Sequence, residues 1–170
     1  MINCAFGFQN GGTSGFVTTP IYGSFYDTTT QLVTSGTATA IKMDSTDISS
    51  GVIITNNGLG DPTQISVSGY GVYDLQFSAQ LSRITGGASK QIHIWLAING
   101  SPVSWSTTGL NLQANANKTV AAWNFFVTLN SGDFVEILWT QNDGIDILAE
   151  PATILYPETP SVIVTINKIS

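Results

Sequence analysis

The chain has 170 residues, of which 42% are hydrophobic and only 9% are charged, and its formal net charge is −6. An average globular protein carries about 25% charged residues, so long solvated helices rich in Lys and Glu are excluded. A membrane-spanning helix is excluded because no run of about 20 apolar residues occurs. One cysteine and one histidine provide neither a disulfide framework nor a zinc site built from several such ligands. The five basic residues are scattered, which argues against nucleic-acid binding.

Residues 1–20 are predicted to form an N-terminal arm. Gly11, Gly12 and Gly15 make this stretch flexible, and Pro20 ends it. Three large apolar side chains lie along the arm: Phe6, Phe8 and Phe16. They either pack on their own domain or dock on another subunit or protein, and in the second case the arm is an anchor. The segment lacks a basic region and a long apolar run, so no secretory signal is predicted and synthesis in a cytosol is expected.

From residue 21 onward, apolar residues recur with a period of two, which is typical of half-buried β-strands. The pattern is clearest from Tyr73 to Leu81, where every second residue is apolar and the residues between are polar. Nine strands are predicted in chain order: Ile21–Asp27, Thr37–Met43, Gly51–Thr55, Thr63–Val67, Tyr70–Leu81, Gln91–Ile98, Thr119–Leu129, Phe134–Gln141 and Ser161–Ile169. Turn-forming residues separate several of these strands, and Asn99-Gly100 is the clearest tight turn.

The strand pattern also predicts the fold class. No stretch shows a convincing helical period of 3.6 residues, so the predicted fold is all-β. Strands with one apolar face need a second sheet to cover that face. We therefore expect one antiparallel domain over residues 21–170, a two-sheet sandwich or barrel of nine or ten strands.

Some apolar side chains fall on strand faces that point away from the predicted core. Tyr70, Val72 and Phe126 are of this kind, and the neighbours of Phe126 on its face are the polar Asn124 and Thr128. An exposed aromatic side chain in a chain with so few charges predicts an interface between subunits. The alternative is a bulge that turns Phe126 into the core.

The sequence offers little catalytic or metal chemistry. His93, the single histidine, lies in the middle of a predicted strand, where a structural or interface role is expected rather than a place in a catalytic triad. Two pairs of carboxylates stand three residues apart, Asp44 with Asp47 and Asp143 with Asp146. Calcium binding and solvated turns are the alternatives for these pairs, and solvated turns are expected. No catalytic residue, metal ligand or cofactor is predicted.

Five segments in order along the chain resemble the C1q/TNF-like jelly rolls, in the version that occurs in phage and other virion proteins. They match an opening strand, a central strand, a hairpin, a turn and a closing strand: Tyr22–Gln31, Gly69–Leu81, Ile94–Gly100, Leu129–Val135 and Pro160–Ile166. These are motifs of fold and not of an active site. The resemblance implies a jelly roll of about ten strands that forms a tight homotrimer and serves as a surface module.

The resemblance also assigns the outward residues to two surfaces. It implies that the strands of Tyr70, Val72 and Phe126 face the threefold axis of a trimer, where Tyr22 joins them. It implies that another set of outward residues belongs to the outer sheet and forms a second contact surface: Trp95, Phe134 and Leu138. The alternative for this second set is that the alternation is off by one residue there.

Together these features predict a homotrimeric virion structural protein on the outer surface of a phage particle, either a capsid decoration or a short head fibre. It would act by assembly, without enzyme activity, and its arm would attach it to other virion proteins. One alternative is a receptor- or glycan-binding fibre tip, in which Trp95 and Trp105 either stack on a host sugar or simply pack. The other is a bacterial surface adhesin of the same fold. Neither a nucleic acid nor a membrane is expected as a partner.

Overall fold

A computed structural model describes residues 19–84, 86–113, 118–142 and 144–170 of the chain. The described residues contain no helix and form thirteen β-strands: β1 (Tyr22–Asp27), β2 (Thr39–Ala40), β3 (Ser45–Ser50), β4 (Val52–Asn56), β5 (Pro62–Val67), β6 (Gly71–Arg83), β7 (Lys90–Ile98), β8 (Ser101–Pro102), β9 (Thr108–Leu112), β10 (Lys118–Leu129), β11 (Phe134–Gln141), β12 (Ile145–Ile147) and β13 (Val162–Lys168). The prediction of an all-β fold is confirmed.

The strands form two antiparallel sheets that pack against each other. The first sheet has six strands in the order β10-β6-β13-β1-β3, and β12 also pairs with β6. The second sheet has seven strands in the order β4-β5-β11-β7-β8, and β2 and β9 pair with β11 and β7 respectively. This is the predicted two-sheet antiparallel sandwich, and it is consistent with a jelly roll.

The core lies between the two sheets and follows the period of two in the sequence. Tyr73 and Leu75 of β6, Ile94 of β7 and Trp139 of β11 are fully buried, and Phe25 of β1 joins them. Burying an apolar side chain of this size contributes about 1.5–3 kcal/mol. The two sheets are therefore held together by the residues that alternation assigns to the inside.

The tight turn predicted at Asn99-Gly100 joins β7 to β8. Both residues have positive φ, 50° and 76°, as a two-residue hairpin turn requires. The Asn99 side chain donates a hydrogen bond to Asp133 Oδ1 (2.9 Å) and accepts one from the Phe134 amide (3.0 Å). Hydrogen bonds from Asn99 and Asn130 hold the pKa of Asp133 below its ordinary value. This network ties the β7–β8 turn to the β10–β11 turn.

Several strand predictions are wrong. The predicted strand Thr37–Met43 shrinks to Thr39–Ala40, because residues 41–43 are inserted between β11 and β5. The Ile41 amide donates to the Ile137 carbonyl (2.8 Å), and the Met43 amide donates to the Pro62 carbonyl (2.9 Å). Sequence analysis also misses β3, β8, β9 and β12, which are too short or too polar to show an apolar period.

The predicted arm falls almost entirely outside the described residues. Thr19 and Pro20 are described and exposed, whereas the predicted anchor residues Phe6, Phe8 and Phe16 are not described. Within the described residues, no helix long and apolar enough to cross a membrane occurs.

Candidate functional site

The outward face of the first sheet brings together the four residues predicted to form an interface. In register, Phe126 of β10 lies opposite Asp74 of β6, Asp74 opposite Asn167 of β13, and Asn167 opposite Tyr22 of β1. Directly opposite residues in a sheet share a face, so these four side chains form one row. Three strand spacings, or about 14 Å, separate Phe126 from Tyr22. We call this surface the first-sheet face.

Val72 and Tyr70 lie at one end of the first-sheet face. Val72 pairs with Thr128, the next outward residue of β10 after Phe126. Tyr70 directly precedes β6. The side chains of Phe126 and Tyr70 are 65% and 67% exposed, and those of Val72 and Tyr22 are half-buried. The bulge alternative for Phe126 is wrong, because β10 pairs with β6 without a break in register.

Three more apolar side chains are exposed on the first-sheet face, and sequence analysis did not single them out: Ile48, Val120 and Ile163. Val120 has the same parity as Phe126 in β10, so the alternation alone identifies it. Ile163 lies opposite Ser78 on one side and Tyr26 on the other. The apolar surface of this face therefore extends well beyond the predicted residues.

The middle of the first-sheet face carries little charge. Its central row contains Asn124, Gln76, Thr165 and Ser24, which are all neutral. Asp74, in the neighbouring row, accepts hydrogen bonds from the side-chain amides of Gln76 (2.8 Å) and Asn124 (3.1 Å). Neutral amides and hydroxyls can pair with the same groups on another surface without like-charge repulsion.

A groove of about 670 Å³ opens at the opposite end of this face. Tyr26 and Ile163 of the sheet line one side, and Glu150 and Glu158 of the β12–β13 loop line the other. Lys118 forms an ion pair with Glu150. Sequence analysis did not find this groove, because its two sides are far apart in the chain.

The loop above the groove is a hairpin with an apolar tip. The amides of Glu150 and Thr159 each donate to the other's carbonyl (2.9 Å), which closes the base of the hairpin. At the tip, Ile154 and Leu155 are 100% and 86% exposed, and Tyr156 is half-exposed. These three consecutive apolar residues were not predicted as a feature, although they lie between two prolines in the sequence.

The outward face of the second sheet holds the residues predicted as a second contact surface. Trp95 of β7 lies opposite Leu138 of β11, and Phe134 lies opposite Ser66 of β5. All three predicted residues are half-buried, so they are less accessible than Phe126. The alternation there is not off by one residue, because Ile94 and its neighbours of the same parity are fully buried. Trp105, by contrast, is fully exposed on a loop.

The remaining chemical candidates are dispersed. His93 lies opposite Thr140 of β11 and Gly109 of β9. Among the residues that the structure describes, no group of three or more His, Cys, Asp or Glu could hold a metal ion. Asp47 lies within β3 and Asp146 within β12, so the prediction of turns at these two positions is wrong. Asp143, the partner of Asp146 in the calcium alternative, lies outside the described residues.

Like Asp27, Asp146 is a buried carboxylate of the described part. It is nearly buried and lies opposite Ser82 of β6. Burial raises the pKa of Asp146 above its ordinary value. We assign this carboxylate no chemical role.

The described surface combines an exposed, weakly charged sheet face with a groove and an apolar hairpin tip. A scan against protein-family models finds no match to the chain, and a search of curated proteins finds no match either. The resemblance to C1q/TNF-like jelly rolls stays a prediction that depends on the five segments quoted above.

Proposed function

We propose that this protein is a structural component of a virus particle, and that it acts by assembling into a homotrimer through the first-sheet face. The observation that carries the proposal is the exposure of Phe126 in the middle of a strand, between the neutral Asn124 and Thr128 on the same face of β10. Val120, Ile163 and Tyr70 extend the same surface. Exposed apolar patches of this kind on a sheet mark sites of protein–protein contact.

The charge distribution supports a second copy of the chain as the partner. A protein of net charge −6 repels its own copies over most of its surface. The central row of the first-sheet face is neutral, and Asp74 beside it is held by two amides. Copies can therefore approach each other through this face with little like-charge repulsion. Burying Phe126 in such a contact contributes about 1.5–3 kcal/mol per copy.

The resemblance supports the trimeric state and the particle. Under this proposal the arm, with Phe6, Phe8 and Phe16, attaches the trimer to other virion proteins. The second-sheet residues Trp95, Phe134 and Leu138 remain a further contact surface in the same proposal. The protein works by attachment on the outside of the particle, without a catalytic step.

Sedimentation of the purified full chain tests the self-assembly. We expect a native mass of about 54 kDa for the wild-type protein, three times the chain mass of 18.0 kDa. Phe126→Asp places a charge in the centre of the contact and should give the mass of a single chain. Ile53→Asp is the matched control, because Ile53 is similarly exposed in a strand of the other sheet. This control should leave the native mass unchanged.

Two results would contradict the proposal. A wild-type protein that stays monomeric at micromolar concentration would remove the first-sheet face as an interface between copies. A Phe126→Asp protein with the wild-type mass would move the interface elsewhere. Proteomic analysis tests whether the protein belongs to a virus particle. Under the proposal, the chain must be detected in purified intact particles of the virus that encodes it.

A further inference from the structure

Trp105 occupies an unusual place at the edge of the second sheet. The strands β8 and β9 both pair with β7, and the five residues between them, 103–107, leave the sheet as a short excursion. Trp105 lies within this excursion with its side chain fully exposed. Its φ is 66°, in the left-handed region that bulky side chains rarely adopt.

Hydrogen bonds hold this conformation against β7. The Val103 amide donates to the Leu96 carbonyl (2.8 Å), and the Leu96 amide donates to Ser106 Oγ (3.0 Å). Ser106 Oγ in turn donates to the Val103 carbonyl (2.8 Å). The residues on both sides of Trp105 thus hydrogen-bond to the same strand residue, which fixes the backbone at Trp105.

The conformation has a cost that the fold alone does not explain. A left-handed backbone at a residue other than glycine costs about 1–2 kcal/mol. Exposure of the indole also forgoes the stabilisation that burial of an aromatic side chain provides. Glycine at this position would avoid both costs. Strained backbone that a hydrogen-bond network maintains is a feature of binding sites.

The surroundings of Trp105 indicate the chemistry of its ligand. The sequence contains no Asp, Glu, Lys or Arg from Gln91 to Asn117. The exposed neighbours of Trp105 in the chain carry hydroxyls, at Ser101, Ser104 and Thr107. A membrane surface normally requires basic residues beside an exposed Trp, and an ionic ligand requires a charged side chain. Neither is supplied by this segment.

We propose that Trp105 is a stacking platform for a neutral saccharide. The faces of a sugar ring present electron-poor C–H groups, which fit the negative face of the indole. Sugar hydroxyls can hydrogen-bond to the neighbouring Ser and Thr hydroxyls. Because the excursion is already fixed, little conformational entropy is lost when the ligand binds. This site is separate from the first-sheet face and independent of the proposed self-assembly.

Titration of the full chain with neutral tetrasaccharides tests the proposal. The probes are maltotetraose, cellotetraose, mannotetraose and tetra-N-acetylchitotetraose, and the readout is the NMR signal of each indole N–H. We expect at least one probe to shift one indole signal saturably, and Trp105→Ala to remove that signal. The affinity for the same probe, measured by calorimetry, should fall at least tenfold in Trp105→Ala, which is about 1.4 kcal/mol.

Two further variants keep the test specific. Trp105→Phe retains an aromatic face and should keep part of the affinity. Leu59→Ala removes a side chain that is also highly exposed in a turn of the same sheet, and it should bind as the wild type does. Absence of saturable binding by all four probes would overturn the proposal. Unchanged affinity in Trp105→Ala would also overturn it. A Trp105→Ala protein with a changed native mass and unchanged saccharide binding would overturn it as well, and would show that Trp105 is a contact between copies.

Discussion

The outward faces of the two sheets carry similar residue types but differ in what covers them. On the first sheet, Phe126 and Val120 are 65% and 52% exposed. On the second sheet, Ala97 and Glu136 are only 1% and 8% exposed, and Trp95 is half-buried. The middle of the second-sheet face is therefore less accessible than the first-sheet face, whose exposed apolar side chains remain available for a partner.

An apolar residue at an outward position of a strand can therefore have either of two roles, packing within the chain or contact with a partner. On the second sheet its loss removes contacts within the chain, so the free energy of unfolding should fall. On the first sheet its loss removes contacts that only a partner can provide, so association should weaken. Substitutions on the two faces test this distinction.

Trp95→Ala is expected to have a large effect on folding. Complete truncation of a buried aromatic side chain costs about 3–5 kcal/mol, so a half-buried indole should cost about 2 kcal/mol. Urea denaturation measures this loss. Ile53→Ala is the control, since Ile53 is exposed on the same sheet and should change the unfolding free energy by less than about 0.5 kcal/mol. Equal losses of unfolding free energy in the two variants would show that Trp95 is no better packed than the exposed Ile53.

Thr63→Val tests a buried polar contact of the second sheet. The Thr63 hydroxyl donates a hydrogen bond of 2.6 Å to the Glu136 carboxylate, and both residues are buried. Removing a hydrogen-bond donor to a buried charged group costs about 1.5–3 kcal/mol. Thermal and urea unfolding should therefore show a clear loss in Thr63→Val. Thr63→Ser keeps the hydroxyl and should retain most of the stability, and a loss in Thr63→Ser as large as that in Thr63→Val would mean that the hydrogen bond contributes no more than the packing of the methyl group.

Two carboxylates predict opposite responses to pH. Burial raises the pKa of folded Asp146, so its ionisation lowers stability as pH rises from the unfolded pKa of about 3.9 to the folded value. Hydrogen bonds from Asn99 and Asn130 lower the pKa of Asp133, so its ionised form adds stability that is lost as pH falls through the folded value. Asp146→Asn should therefore stabilise the protein at pH 7, and Asp133→Asn should destabilise it.

Unfolding by urea at neutral and acidic pH checks both signs. Both differences from the wild type should shrink below the pKa values of the groups, because the wild-type carboxylates are then protonated. If Asp146→Asn destabilised the protein at neutral pH, the carboxylate would be making a favourable contact that offsets its burial.

Much of the fold follows from alternation because the long strands separate one buried face from one outward face. The predicted bounds of β6, β10 and β11 lie within two residues of the observed ones. Alternation does not identify short strands. β12 has three residues, all buried, and three residues establish no period. β3 carries almost no apolar residue, so its pairing with β1 comes from the backbone and not from a pattern.

The candidate site is less accessible to sequence analysis, because exposure depends on what packs against each strand. Parity identifies Phe126 as outward, but it also treats Trp123 and Phe125 as ordinary core residues. The Trp123 ring packs edge-on against Phe77, with centroids 4.7 Å apart, yet Trp123 and Phe125 stay half-buried because β10 is an edge strand. The groove and the tip at Ile154 depend on how a loop folds back over the sheet, and no local period encodes that.

Val120→Ser should have the smallest effect on folding and gives the finest test of the comparison. Val120 is exposed on the first-sheet face, two rows beyond the neutral central row of Asn124 and Gln76. In the Phe126→Asp background, where self-association is removed, we expect the unfolding free energy to change by less than about 0.5 kcal/mol. In the otherwise wild-type chain the same substitution should weaken association several-fold, as sedimentation over a dilution series can measure. A loss of more than about 1 kcal/mol in the monomeric background would place Val120 in the chain's own packing. The first-sheet face would then be covered like the second, and the difference between the two faces would lie in Phe126 alone.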